Sequence, residues 1–262
     1  MRRSWICPEN KRLVSVDMDS AQIRILANYM GDDEYTQAVT EGMEFDENHR
    51  YVATDAHTLH SIAFGTLPQE MVNEARETQN EELIKKCSAI RKKGKNGYYC
   101  LIFGGGDAKL ATTLGLKTAA DGKRIKDSMF NRLPKLGILQ EKLKKEWRDN
   151  EFRKGGYIKV AGNTWVWCPS EHKLLNYLLM GSEAALQNEA ICWVNMRIKK
   201  LGLSGRQLGS FHDELTFEFD LTEEQEGIKI MSEMYGEASK RLGLDVLVTG
   251  TAQYGKAWSA IH

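Results

Sequence analysis

The sequence predicts an α+β fold, an antiparallel sheet with packed helices that is interrupted by a helical subdomain. Three observations predict it. "RLVSVDMD" at 12–19 opens with alternating apolar residues, as a half-buried strand does. A block from about 57 to 150 then reads almost entirely as helix. Strand-like runs resume near 155–169, 206–219 and 244–250, with helices between them. That order suits a sheet body carrying an insertion, and no repeat or low-complexity linker breaks it.

The elements follow in turn. After the first strand, "AQIRILANYMG" has helical spacing and a stop at Gly31. An acidic loop occupies 41–50, and "HTLHSIAFG" and residues 69–106 are mostly helical, closing on three glycines. Residues 123–150 read as one basic helix. In "GGYIKVAGNTWVWCP" two β-rich runs flank Gly162-Asn163, a hairpin signal. A long helix covers about 170–200, and Glu183, Gln187 and Glu189 give it an amphipathic reading. "RQLGSF" and "ELTFEF" are two strands meeting at His212-Asp213. The chain ends with a helix over 222–242 and a short strand over 244–250.

The 262 residues suffice for one large domain or two modest ones. With 42% hydrophobic and 27% charged residues the composition is that of a globular protein. No apolar run approaches a membrane span, and "MRRSWICPENKR" lacks the core of a secretory signal. The five cysteines are odd in number and form no CxxC pair, which fits reduced thiols. A net charge of zero hides a separation. Residues 85–148 hold 17 Lys+Arg against 5 Asp+Glu, while residues 1–84 hold 7 against 16. A basic segment beside acidic flanks suits a grip on phosphates near a cation-binding centre.

Two constellations carry chemistry. The first is a pair of acids, Asp17 at a strand end and Asp213 in "GSFHDELTFEF", where Glu214 stands beside it between apolar neighbours. Burying carboxylates is costly unless a cation or donors meet them. Carboxylates from separate strands can hold hard cations such as Mg²⁺, and two such ions can serve phosphoryl transfer; a polar hairpin tip is the plainer alternative. The second is Arg91, Lys95, Tyr99 and Phe103 in "RKKGKNGYYCLIFG". Residues four apart turn only about 40° around a helix and so share one face. Two cations followed by two rings would suit a triphosphate and then a stacked base. Gly94 and Gly97 in that helix point to close approach by another surface or to fraying. His57 and His60 lack the spacing and partners of a zinc site, and His60 reads as structural. There is no GxxxxGK[ST] loop and no GxSxG.

Taken in order, "LVSVDMDSAQIRILANYMGD", "DAH", "RKKGKNGYYCLIFGGG", "NYLLMGSEAA" and "FHDELTFEF" resemble the motifs of family A DNA polymerases, nearly end to end. The resemblance implies a palm over 1–45 and 151–262 and helical fingers over 46–150. It implies template-directed nucleotidyl transfer with two Mg²⁺ ions, acting on primer–template DNA and dNTPs. Asp17 and Asp213 become metal ligands with the Met18 carbonyl, and Glu214 a supporting acid. His57, Arg91 and Lys95 would hold the triphosphate, and Lys95 would donate a proton to the departing pyrophosphate. Tyr99 would pack against the sugar and Phe103 near the templating base. His212, Met180 and Asn176 fall at DNA-contacting positions.

The sequence also departs from the family pattern. Gln22 replaces a Glu whose bulk helps exclude a ribose 2′-OH, so sugar discrimination is expected in weakened form. Met180 stands for a DNA-contacting Gln, His172 roughly for an Arg, and Phe103 for the commoner Tyr. Tyr99 is the variant associated with dideoxynucleotide acceptance. The family's thumb, its earlier palm strands and its exonuclease would lie upstream of the matching motifs. The sequence is therefore expected to be either a fragment of a longer polymerase or one chain of a split, phage-encoded polymerase working in the cytoplasm of an infected cell; the second reading is favoured, with a second polypeptide supplying thumb and N-terminal palm. Two alternatives are a single-subunit RNA polymerase relative, which usually has Ser in place of Glu214, and a non-catalytic DNA-binding replisome subunit.

Overall fold

A computed structural model describes residues 5–149 and 156–261. Its contacts divide the chain into two compact units, one made of 1–25, 160–164 and 180–262, the other of 26–159 and 165–179. Strands β1 (Lys11–Met18), β4 (Arg206–Phe211), β5 (Glu214–Asp220) and β6 (Gly250–Gly255) form an antiparallel sheet in the order β4-β5-β1-β6. It lies in the first unit with helix α10 (Glu224–Arg241) and most of α9 (Leu174–Leu201).

β1 is central, and it is buried on both faces rather than one: Leu13, Val14, Ser15 and Val16 are all within 5% of full burial. α10 packs on the sheet, its interior face built from Ile230, Met231, Met234, Tyr235 and Ala238. Cys7, Leu13 and Ile261 cluster with Trp258 beside the sheet. The β1–β5 register pairs Lys11 with Asp220 and Asp17 with Glu214. An ion pair of 2.7 Å closes the first end; the acids occupy the other.

Helix α1 (Ala21–Met30) follows β1, and the second unit is helical: α2 (Asp33–Thr40), α3 (Ala56–Ala63), α4 (Gln69–Thr78), α5 (Glu81–Ile102), α6 (Asp107–Leu114), α7 (Ala119–Arg132) and α8 (Pro134–Asp149). Side-chain caps set several starts: Asp32 accepts from Tyr35 N, Asp55 from His57 N and Thr58 N, Asn80 from Leu83 N, and Thr118 with Asp121 forms a capping box. The glycines of α5 are explained by close approach. A Cβ on Gly94 would lie 1.9 Å from Ser61 Oγ of α3, and one on Gly97 would lie 2.5 Å from Leu114 of α6.

Three expectations are corrected. Residues 123–150 are not one helix, because α7 ends before Leu133 and α8 starts at Pro134; proline pushes its predecessor out of the helical region. The last strand is not 244–250 but β6. Leu244, Val246 and Val248 are buried in alternation, yet their backbone serves other partners: Leu244 N donates to Ser239 O, Val248 N to Ser239 Oγ, and Leu247 O accepts from Arg24. In α9, Glu183 and Gln187 are buried rather than on a wet face, at 9% and 6% exposure. The hairpin runs as expected, with β2 (Tyr157–Val160) and β3 (Thr164–Trp167) joined where Gly162 and Asn163 take φ of +67° and +58°; Gly155 lies outside the described residues.

Candidate active site

The β4–β5 hairpin turns on two residues, and His212 takes φ +55° at the bend. This tight turn carries Asp213 to the end of β1, where Met18 N donates to Asp213 O at 3.1 Å. The carboxyl groups of Asp17 and Asp213 come within hydrogen-bonding reach of one another. Burial, then the charges of Asp213 and Glu214, push the Asp17 carboxyl above its usual range. Glu214 is buried and accepts from Ser15 Oγ and, at 3.3 Å, from Thr216 Oγ1. The two aspartates stay open while the glutamate is tied into the sheet.

The turn is held from behind. Gln187 Nε2 of α9 donates to Glu214 O at 3.1 Å and Ser210 Oγ at 3.2 Å. The Tyr235 hydroxyl of α10 lies 2.9 Å from both Asp213 O and Gln187 Oε1. Buried polar groups satisfied in this way fix one conformation. Beside the acids, Gln22 Nε2 donates to Glu183 Oε2 at 3.2 Å and contacts Met180 Sδ at 3.6 Å. Burial, and then the charges of Asp213 and Asp17, raise the Glu183 carboxyl, while the bond from Gln22 and the charge of His212 oppose them.

Among the described residues, no three His, Cys, Asp or Glu side chains form a ready metal cage. The donor chemistry of the acid turn nonetheless fits a hard divalent cation that keeps several waters. Two carboxyls pressed together, one with a raised pKa, are what such a cation relieves.

In the helical unit, α5 presents Arg91, Lys95, Tyr99 and, at its C-terminal cap, Phe103. Lys95 and Phe103 are exposed, whereas Arg91 and Tyr99 are half-buried. His57 of α3 packs against this stripe, its ring centroid 6.1 Å from that of Tyr99, which lies 5.8 Å from Phe103. Burial, then the positive charges of Lys95 and Arg91, depress the His57 pKa to about 4, so the ring is neutral near pH 7. Its Nδ1 is buried without a hydrogen-bond partner. His60 is fully buried: it stacks on Tyr98 at 3.5 Å and its Nε2 lies 3.2 Å from Tyr35 OH, while its Nδ1 has no hydrogen-bond partner among the described residues. Two cations, an imidazole and two rings thus lie together on one helical surface.

The family model for DNA polymerase family A matches residues 1–260. The chain belongs to DNA polymerase family A. Among its relatives, DNA polymerase I of Lactococcus lactis subsp. lactis (strain IL1403) is 25% identical over 98% of this chain and 27% of its own length. DNA polymerase I of Aquifex aeolicus (strain VF5) is 21% identical over 99% of this chain and 41% of its own. The POL domain of Pol1 from M. smegmatis, solved in complex with DNA primer-template and dNTP, shares the fold at a TM-score of 0.76 and 23% identity, covering 100% of this chain and 42% of that one. The chain therefore spans about a quarter to two-fifths of the length of these polymerases. Among the described residues, no helix of this family A chain is long and apolar enough to cross a membrane.

The remaining residues of interest sit on α9 and the turn. Asn176 is half-buried and Met180 exposed, four residues apart on one helix, and His212 is exposed. Sequence reasoning missed Glu183, Gln187 and Tyr235, as well as Asp55 and Glu44, the carboxylates that hold Arg91. For Glu183 and Gln187 the available signal is a polar residue inside an apolar helical stretch; Asp55 and Glu44 carry no such local signal.

Proposed function

We propose that this chain is the palm and fingers part of a DNA-directed DNA polymerase, with palm over 1–45 and 151–262 and fingers over 46–150. The observation that carries the reading is the meeting of Asp17 and Asp213, from strands far apart in sequence, in a chain of family A. Asp17 and Asp213, with the Met18 carbonyl, would hold Mg²⁺, which when bound neutralises charge at the transferred phosphoryl group. Arg91 and Lys95 take the triphosphate of a dNTP through charge-assisted bonds, and neutral His57 contributes an N–H rather than a charge. The primer 3′-hydroxyl loses its proton to solvent, its oxygen bonds to the α-phosphorus as the bond to the departing pyrophosphate breaks, and Lys95 gives a proton to that leaving oxygen. Tyr99 packs on the sugar and Phe103 near the templating base. Met180, Asn176 and His212 face the primer–template. The protein's part is position and charge.

Gln22 guards the sugar edge together with Glu183, which supplies the carboxylate that Gln22 lacks. Glu183→Ala is expected to lower dNTP-over-rNTP selectivity by about tenfold, and the double variant Gln22→Glu/Glu183→Ala to restore it. Equal selectivity in all variants would remove this pair from sugar choice.

A second polypeptide carrying a thumb completes the enzyme in this reading. What supports it is an apolar groove beside β4, where Trp5, Ile6, Leu208 and Phe211 are 65%, 66%, 47% and 45% exposed. Co-purification from the native host followed by mass spectrometry tests it; processive synthesis by the isolated monomer would count against it. Primer extension by wild type and Asp213→Asn, with and without that partner, tests the activity. Magnesium-dependent synthesis lost in the variant is the expected result, and equal synthesis by both would overturn the reading.

A further inference from the structure

Arg91 is held by two carboxylates. Asp55 takes one edge of the guanidinium, with Nε 3.1 Å from both its oxygens and Nη2 2.9 Å from Oδ1. Glu44 takes Nη1 at 2.9 Å. The two acids are placed differently. Asp55 is 8% exposed and anchored by His57 N, Thr58 N and Thr58 Oγ1 at the start of α3. Burial alone would raise its pKa, but the Arg91 hydrogen bonds and charge outweigh that and hold it low. Glu44 lies in the acidic 41–50 loop, and among the described residues its side chain takes one other hydrogen bond, at 2.6 Å from Ser88 Oγ. One carboxylate already balances the charge of Arg91, so Glu44 is a second carboxylate on a single guanidinium.

We propose that Glu44 is a displaceable stand-in for the nucleotide's phosphate, while Asp55 is the permanent positioner of Arg91. This rests on the polymerase reading above and deepens it. A guanidinium offers two hydrogen-bonding edges to oxyanions. Asp55 fixes the first, and Glu44 fills the second in the free protein. An incoming polyphosphate takes that edge by displacing Glu44, and Glu44 returns when pyrophosphate leaves. Such competition favours ligands with more charge than a single carboxylate, so triphosphate gains over monophosphate. It also assigns a role to the acidic loop.

The test is equilibrium binding of inorganic tripolyphosphate and of dNTP to the full chain, alongside dNTP KM and kcat in primer extension. Glu44→Gln keeps the side chain's size and its acceptor for Ser88. It is expected to bind tripolyphosphate about two- to fivefold tighter, as suits an ion pair that keeps only about a fifth of each side chain in solvent, with the gain appearing in KM. The gain should vanish in an Arg91→Ala background. Ser88→Ala, which loosens Glu44 without touching Arg91, should shift affinity the same way by less, and it decides the matter should Glu44→Gln fail to fold. Unchanged or weaker binding in these variants, or a gain that survives loss of Arg91, overturns the proposal. Wild type that binds neither tripolyphosphate nor dNTP would instead bring down the polymerase reading itself, and this proposal with it.

Discussion

At the acid turn the backbone positions the functional groups, whereas along α5 other side chains do. Asp213 sits in a two-residue turn whose carbonyl faces Tyr235 and whose neighbour's carbonyl is held by Gln187. Main-chain bonds leave the carboxyls of Asp17 and Asp213 free to face each other. Arg91, in contrast, is held through its own guanidinium by Asp55 on one edge and Glu44 on the other, so the group that positions it and the group that occupies it act on the same side chain. If the proposed roles hold, the first arrangement suits a centre that keeps rigid geometry and the second a grip that opens and closes.

This contrast predicts where damage falls. The largest effect belongs to the acid turn: Asp17→Asn or Asp213→Asn should lower kcat in primer extension by about 10³-fold, some 4 kcal/mol of barrier, while Arg91→Ala should act mainly through dNTP KM. A matching kcat loss from Arg91→Ala would erase the distinction.

Next comes acid sensitivity of the helical unit. His57 titrates near 6.5 when unfolded and at about 4 in the fold. The unfolded state therefore binds more protons across that window, and stability falls as pH drops from about 6.5 to 4, by at most about 3 kcal/mol. Urea denaturation at several pH values should show this slope in wild type and a flatter one in His57→Gln; identical slopes would contradict it.

Packing follows. Gly94→Ala drives a methyl into Ser61 and should cost about 1–3 kcal/mol, with Ser61→Gly recovering part of it in thermal melts. Smallest is Tyr235→Phe, which removes one donor behind the acid turn for about 1 kcal/mol. If it lowers stability without slowing extension, backbone support of Asp213 matters less than the contrast holds.

Much of this was legible in the sequence. The alternation in 12–19, the acids at 17 and 213, and the four-residue spacing from Arg91 to Phe103 each carry a local signal, and each element formed where expected. What stayed hidden depends on burial and on partners distant in the chain. Glu183 and Gln187 look like a wet helix face until tertiary packing covers them. Leu244, Val246 and Val248 alternate as in a strand, but Ser239 and Arg24 claim the backbone. Nothing in the local sequence of Glu44 or Asp55 shows that both reach Arg91, 47 and 36 positions away. Pro134, however, was a readable break within the 123–150 stretch.

On the proposed reading, Asp17 and Asp213 form a joint site for a divalent cation. Electron paramagnetic resonance titration of Mn²⁺ against the wild-type chain, Asp17→Asn and Asp213→Asn measures it without requiring DNA or a partner. Binding to wild type is expected to weaken by about tenfold or more, at least about 1.4 kcal/mol, in each variant. Equal Mn²⁺ affinity in all three proteins would contradict it.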